Sequence, residues 1–208
     1  MNDKNIKPKG TGCLASTLLG VPIVLILTIL SIISFSAYNG MVSHEETVKS
    51  QWGNVENNYQ RRIDLVENLV SVVKGYADHE NQTLLGVIEA RSKATGITLS
   101  VKDLTPENVE QFQNIQDNLS GALSRLLVVA EQYPDLKAQD SYRQLMKSLE
   151  QIEAEILIQR SLYNDKAREY NTYIRRFPKV LFAKMFGFEP IGYFKASPEA
   201  VSAPKVTM

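Results

Sequence analysis

The chain has 208 residues, with 23 Lys and Arg against 23 Asp and Glu, a size that suits one domain or one domain with an anchor. Balanced charge argues against a nucleic-acid-binding protein, and 8 Pro with 11 Gly exclude a collagen-like or low-complexity chain. A single cysteine excludes an intrachain disulfide framework and a cysteine-based zinc site within one chain.

The first predicted element is a membrane anchor. No residue from Gly10 through Ser43 is charged, and Leu14–Ala37 is almost wholly apolar. As a helix this stretch reaches about 36 Å, more than the roughly 30 Å hydrocarbon core of a bilayer. A cleaved signal peptide is the competing reading, with Ser34-Phe35-Ser36 as a passable cleavage site. Its apolar region would be about 7–15 residues, and this run is too long, so a retained anchor is expected. Pro22 and Gly20 are tolerated in such a helix. Gly12-Cys13 looks like the end of a lipobox, but a lipidated cysteine follows the apolar region and Cys13 precedes it; an unmodified thiol at the membrane boundary is expected, with S-palmitoylation as the weakly signalled alternative. Lys4, Lys7 and Lys9 precede the span, and only Lys49 lies within Tyr38–Asn57. That asymmetry places the N-terminus in the cytoplasm and the rest of the chain on the non-cytoplasmic side of the cytoplasmic membrane.

Beyond the anchor the pattern is helical throughout. Val48, Trp52, Val55, Tyr59, Ile63, Val66, Val70, Val73 and Ala77 recur at steps of three and four, and Leu84, Val87 and Arg91 continue the phase. This predicts one long amphipathic helix ending at Gly96. The alternative is a break at Gly75–His79, since glycine within a helix costs about 1 kcal/mol and an aspartate such as Asp78 caps a new start. The unslipped phase favours continuity. Thr105-Pro106-Glu107 predicts a helix start, followed by the stripe Val109, Phe112, Leu119, Leu123, Leu126 and Ala130, with Pro134 as its end. A third helix is expected from about Asp140 to Arg176, its seam running from Tyr142 through Leu145, Leu149, Ile152, Ile156, Tyr163, Ala167, Tyr170 and Ile174 to Phe177. The fold class is all-α: a single N-terminal transmembrane helix followed by an up-and-down bundle of three long helices, or four if the first breaks. The expected boundaries are a basic stub (1–13), the anchor (14–37), the bundle (38–194) and a loose tail (195–208). Within the bundle, the aromatic-rich run after Pro178 is expected to clasp the bundle's open end; an interfacial membrane or partner-binding segment is the functional alternative.

Chemistry-bearing motifs are sparse. His44-Glu45 and His79-Glu80 are each followed at the next helical turn by Val48 and Thr83, so neither forms the paired-histidine zinc motif. Met41 and Tyr76 occupy the positions where a di-iron bundle would carry glutamate. No metal or cofactor is predicted. Glu150, Glu153 and Glu155, accompanied by Lys147 and Arg160, read as a solvated face, and His79 as an interhelical hydrogen-bond donor. What stands out is a repeat: Tyr163-Asn164 and Tyr170-Asn171 lie seven residues apart on nearly one face, Tyr38-Asn39 repeats the pair beyond the span, and Asp64 and Asn68 flank the first seam. Polar residues in a helical seam cost stability and fix register. The structural role is therefore the expectation, with Asn164 and Asn171 satisfying buried groups on the first helix; binding a ligand or partner is the alternative.

These residues also carry a likeness. With Trp52, Arg62-x-Asp64-Leu65, Asn68-Leu69-Val70, Gly75-Tyr76, His79-Glu80, Ala90-Arg91, Tyr133–Ala138, Phe177-Pro178 and Gly187-Phe188, the chain resembles the LemA family of bacterial membrane-anchored helical proteins. The resemblance implies an all-helical bundle on one N-terminal anchor and no enzyme activity. Its customary description puts the short N-terminus outside the cell, opposite to the charge count. Glu67 stands where the family usually has proline, which implies a weaker kink in the first helix. The leading functional expectation is a non-catalytic envelope scaffold or adaptor, held in the lipid bilayer by residues 14–37 and working with a membrane or envelope protein. The candidate polar network or partner face is Arg62, Asp64, Asn68, His79, Glu80, Arg91, Tyr163, Asn164, Tyr170 and Asn171. The alternative is a ligand-sensing or hydrolytic protein using Arg62, Asp64, His79 and Glu80.

Overall fold

A computed structural model describes residues 12–76 and 81–196, with backbone alone for 12–20 and Val101. Its elements are α1 (Gly12–Lys74), α2 (Asn81–Thr95), a 3-10 turn (Val101–Asp103), α3 (Pro106–Ala130), α4 (Pro134–Ala138), α5 (Asp140–Arg175) and α6 (Lys179–Phe186). No strand occurs among the described residues. The anchor segment and the first bundle helix are one helix, 63 residues long, or about 95 Å. Its part from Val21 onward contains an 18-residue stretch apolar enough to cross a membrane, and only 6% of that stretch is buried. Burial begins at Ala37 and Met41 and continues through Val48, Trp52, Val55, Tyr59, Ile63, Val66, Leu69 and Val73.

α1 runs outward, α2 returns, α3 runs outward and α5 returns. Arg91 on α2 reaches back to the Ile63 carbonyl, Trp52 Nε1 donates to the Leu99 carbonyl after α2, and Gln51 on α1 donates to Gln159 on α5. The bundle thus has four principal helices, and the continuous first helix favoured by the apolar phase is corrected. α1 ends at Lys74, with the Tyr76 amide donating to the Val73 carbonyl. Length gives the reason. α5 has 36 residues, enough to cover α1 only from the membrane boundary to Lys74. A straight continuation to Thr95 would overhang by about 30 Å with its apolar stripe in water. Folding back places Leu84, Val87 and Ala94 in the core, and each large buried aliphatic contributes about 1.5–3 kcal/mol relative to exposure. Ala77, His79 and Glu80 lie outside the described residues. At Glu67 α1 is unbroken, and the Glu67 carboxylate pairs with Arg91 of α2.

The start of α3 follows its sequence signature: Pro106 sits in the first turn and the Thr105 hydroxyl accepts the Asn108 amide at 3.3 Å. Its expected stripe is buried throughout. On α5 the expected seam is buried at most positions, but Phe177 is 82% exposed. The helix ends at Arg175, so Phe177 has left its phase. After α6, Gly187 adopts φ +76° and its amide donates to the Ala183 carbonyl, a left-handed ending suited to glycine. The chain then climbs back along the bundle as an uncoiled strap, residues 188–195.

Candidate functional site

The expected network separates into two constellations. In the first, Arg62 is 2% exposed, pointing from α1 between α3 and α5. Its Nη1 donates to Ser120 Oγ at 2.8 Å and Glu153 Oε1 at 2.9 Å; its Nη2 donates to Gln116 Oε1 at 2.5 Å and the Gln116 carbonyl at 3.2 Å. The guanidinium also lies 5.0 Å from the Tyr59 ring centroid, a cation–π contact. Arg62 Nε is buried without a partner. Burying a charge is costly unless it is paired and hydrogen-bonded, and four of the five donors here are so used. Glu153 is therefore a structural counter-charge, correcting its reading as part of a solvated face. Gln116 and Ser120 were not foreseen, although Gln116 interrupts the apolar stripe between Phe112 and Leu119, the one signal that could have found it.

Asp64 lies two residues from Arg62, which on a helix turns its side chain to another face. It is exposed and accepts from Gln60 at 2.9 Å. With Asn68, also exposed, it lines a polar groove of about 770 Å³ between α1 and α5, shared with Asn54, Asn57, Asn58 and Arg61. Arg91 is half-buried on α2, paired with Glu67. The structure does not bring Arg62 and Asp64 together, and His79 and Glu80 fall outside the described residues. Among the described residues no three of His, Cys, Asp and Glu converge on a point. His44 instead packs on the Tyr173 ring, with centroids 4.5 Å apart.

The second constellation is built by the Tyr-Asn repeat. The Asn171 amide nitrogen donates to the Ile191 carbonyl at 2.8 Å, its oxygen accepts the Ile191 amide at 2.8 Å, and it also donates to Tyr193 Oη. Asn164 brackets Phe194 in the same way, both bonds at 2.9 Å. Tyr170 Oη donates to the Glu189 carbonyl at 3.0 Å and Tyr163 Oη to the Gly192 carbonyl at 3.1 Å. Seven helical residues rise about 10.5 Å and three extended residues about 10 Å. A heptad repeat on α5 thus meets a three-residue repeat along the strap: 189 and 191, then 192 and 194. The asparagines satisfy the strap and not α1, where they were expected to bond. A strap with its own sheet partner would not need them; lacking one, its backbone groups require side-chain partners.

The far side of the strap is held too. Gln113 on α3 brackets Lys195, accepting its amide at 2.9 Å and donating to its carbonyl at 3.2 Å. The Gly192 amide donates to the Leu104 carbonyl. A β-carbon at Gly192 would stand 2.7 Å from Pro106 Cα and 2.9 Å from the Thr105 carbonyl oxygen, so only glycine fits. Phe194 stacks on Trp52 at 5.9 Å and meets Tyr163 edge-on at 5.4 Å, with the Arg160 guanidinium 4.8 Å from its ring centroid. Burial, with Tyr193 close by, holds the Tyr163 hydroxyl well above the ordinary tyrosine range; burial, with Glu45 and Glu189 near, does the same at Tyr170. Both remain neutral donors at physiological pH.

A four-helix bundle continuous with an apolar helix of membrane-spanning length, its polar seam devoted to packing and to a tethered strap, defines a membrane-associated helical protein. Residues 51–208 match the model of the LemA family, and the chain belongs to that family. It is 27% identical over 206 residues to magnetosome protein MamQ 2 of Paramagnetospirillum magneticum, covering 88% of this chain and 75% of that one. It is 26% identical over 209 residues to magnetosome protein MamQ of Magnetospirillum gryphiswaldense, covering 90% and 76%. To protein LemA of Metamycoplasma hominis it is 30% identical over 138 residues, covering 66% and 59%.

Proposed function

We propose that this protein is a non-catalytic, single-pass scaffold or adaptor of the bacterial cell envelope, presenting its helical bundle to a membrane or envelope protein. The observation that carries this reading is how the candidate polar residues are used. Arg62 completes a buried structural network, and Tyr163, Asn164, Tyr170 and Asn171 are consumed by the strap. The amide-rich groove of Asn54, Asn57, Asp64 and Asn68 supplies the exposed polar face on which the partner docks. The bundle lies on the non-cytoplasmic side, following the three lysines of the stub; that rule weighs charges flanking the span in sequence.

Photo-crosslinking amino acids at Asn57 and Asn68 in living cells test the adaptor role. One recurrent envelope protein captured there, and not from the exposed α5 position Leu157, is expected. Equal capture at all three sites, or turnover of a substrate by the purified protein that Asp64→Asn abolishes, refutes it. Sidedness is read with Cys13→Ser and a cysteine at Leu157. Labelling by an impermeant reagent with the cytoplasmic membrane intact is expected, and protection until lysis reverses the assignment.

A further inference from the structure

We infer that α6 is a second membrane element, lying at the lipid interface against α1, with Phe177, Leu181 and Met185 toward the acyl chains and its flanking bases on anionic headgroups. The inference rests on α1 being embedded in the bilayer. Its first support is position. Phe182 and Phe186 of α6 line a groove with Leu27, Leu30, Phe35 and Tyr38 of α1. Leu27 precedes Tyr38 by about 16 Å of helix, half the depth of a roughly 30 Å hydrocarbon core. The groove that Phe182 and Phe186 share therefore opens from the Tyr38 boundary, where Phe186 meets Tyr38, toward the part of α1 that lies in the hydrocarbon wherever α1 is embedded.

Its second support is the face α6 turns away from the protein. On it Leu181 is 60% and Met185 65% exposed, and Phe177, just before the helix begins, is 82% exposed. At about 25 cal/mol per Å² such a row is costly in water. Beside it lies exposed apolar surface of α1: Phe35, which lines the same groove as Phe182 and Phe186, is 71% exposed. One solvent covers both, and for α1 that solvent is lipid. A soluble partner or a second copy would have to cover α6 while stopping at the edge of the span.

The third support is charge. Between Glu169 and Glu189 the chain carries Arg175, Arg176, Lys179 and Lys184 and no acid. Lys179 rests on the Tyr173 ring, 3.4 Å from its centroid, and Lys184 neighbours Met185 and Leu181, where its long stem lets the ammonium reach headgroups. Tyr38 meets Phe186 and Phe188 edge-on at 5.2 and 5.7 Å, an aromatic cluster where span gives way to bundle, as interfacial belts have. A short amphipathic helix with apolar outer face and basic flanks is built for an anionic interface.

The full-length chain in vesicles of phosphatidylcholine and phosphatidylglycerol tests this. Cys13, the sole cysteine, is replaced by serine, and single cysteines at Leu181 or Met185 carry an environment-sensitive fluorophore. Ile32 serves as the reference within the span and Leu157 as the reference in water; both are exposed in the isolated chain. Blue-shifted emission at 181 and 185, quenched by acyl-chain nitroxides severalfold more than at 157, is expected. It should weaken in pure phosphatidylcholine. Quenching at 32 without quenching at 181 and 185 overturns the inference alone, whereas none at 32 overturns the anchor itself. Blue-shifted but unquenched emission that reddens as the protein is diluted into excess lipid assigns the face to a second copy and also overturns it. Unchanged quenching in pure phosphatidylcholine removes the headgroup role.

Discussion

Cutting the tether between α5 and the strap is the sharpest test of how this bundle is held together. Asn171→Ala strips the Ile191 amide and carbonyl of their side-chain partner in a buried position. Each unsatisfied group costs about 1–3 kcal/mol, and partial rehydration as the strap lifts trims the sum, so a loss of about 2–4 kcal/mol is expected. Asn164→Ala, at a half-buried position, should cost about 1–3 kcal/mol. If the strap lifts as a unit, Ile191 and Phe194 leave the core, forfeiting about 1.5–3 kcal/mol each, and the second substitution then finds little left to break. The double variant should therefore fall short of additivity. Trp52 is the only tryptophan and Phe194 stacks on it, so its emission reports the strap directly. Urea titration of the full chain in detergent micelles, followed at Trp52, gives both readouts. A double variant within about 0.5 kcal/mol of the parent, the ordinary scatter of surface changes, with unaltered Trp52 emission, would refute the reasoning.

Three further outcomes are expected. Glu153→Ala leaves Arg62 buried without its counter-charge while its three hydrogen bonds to Gln116 and Ser120 remain, so it should cost about 1–3 kcal/mol, less than the roughly 3–5 kcal/mol of a fully buried pair because Glu153 is half-exposed; a urea melt within about 0.5 kcal/mol of the parent contradicts the assigned network. Gly192→Ala drives a β-carbon into the backbone at Thr105 and Pro106 and should cost about 1–3 kcal/mol with strap release seen at Trp52; a parent-like melt means the strap is not seated there. Because the folded pKa values of Tyr163 and Tyr170 are raised, their contribution is fully present below the unfolded value of about 10 and is lost as pH rises beyond it; urea midpoints rising above about pH 10 would contradict the burial of these hydroxyls.

Local pattern determined much of this protein. The uncharged run reports a helix suited to lipid, the three-four spacing of Val48 to Val66 a helix with one buried face, and the Thr105-Pro106 pair a helix start, and the physics of each is confined to neighbouring turns. The same is true of the Tyr-Asn repeat: seven residues put both pairs on one face, which reads as a polar seam without reference to any partner. Which backbone those asparagines satisfy was decided only by tertiary structure, because the strap lies about twenty to thirty residues further on and has no periodicity of its own. So was the turn after Lys74. The apolar phase of α1 passes through Gly75 undisturbed, and only the length of α5, which leaves nothing to cover a longer α1, makes the return as α2 the better burial. Glu153 looked solvated by composition, yet a buried Arg62 across the bundle needs it. Periodicity says which face of a helix turns inward; what that face meets depends on how far the other helices reach and where the chain returns, and those distances exist only in the folded molecule.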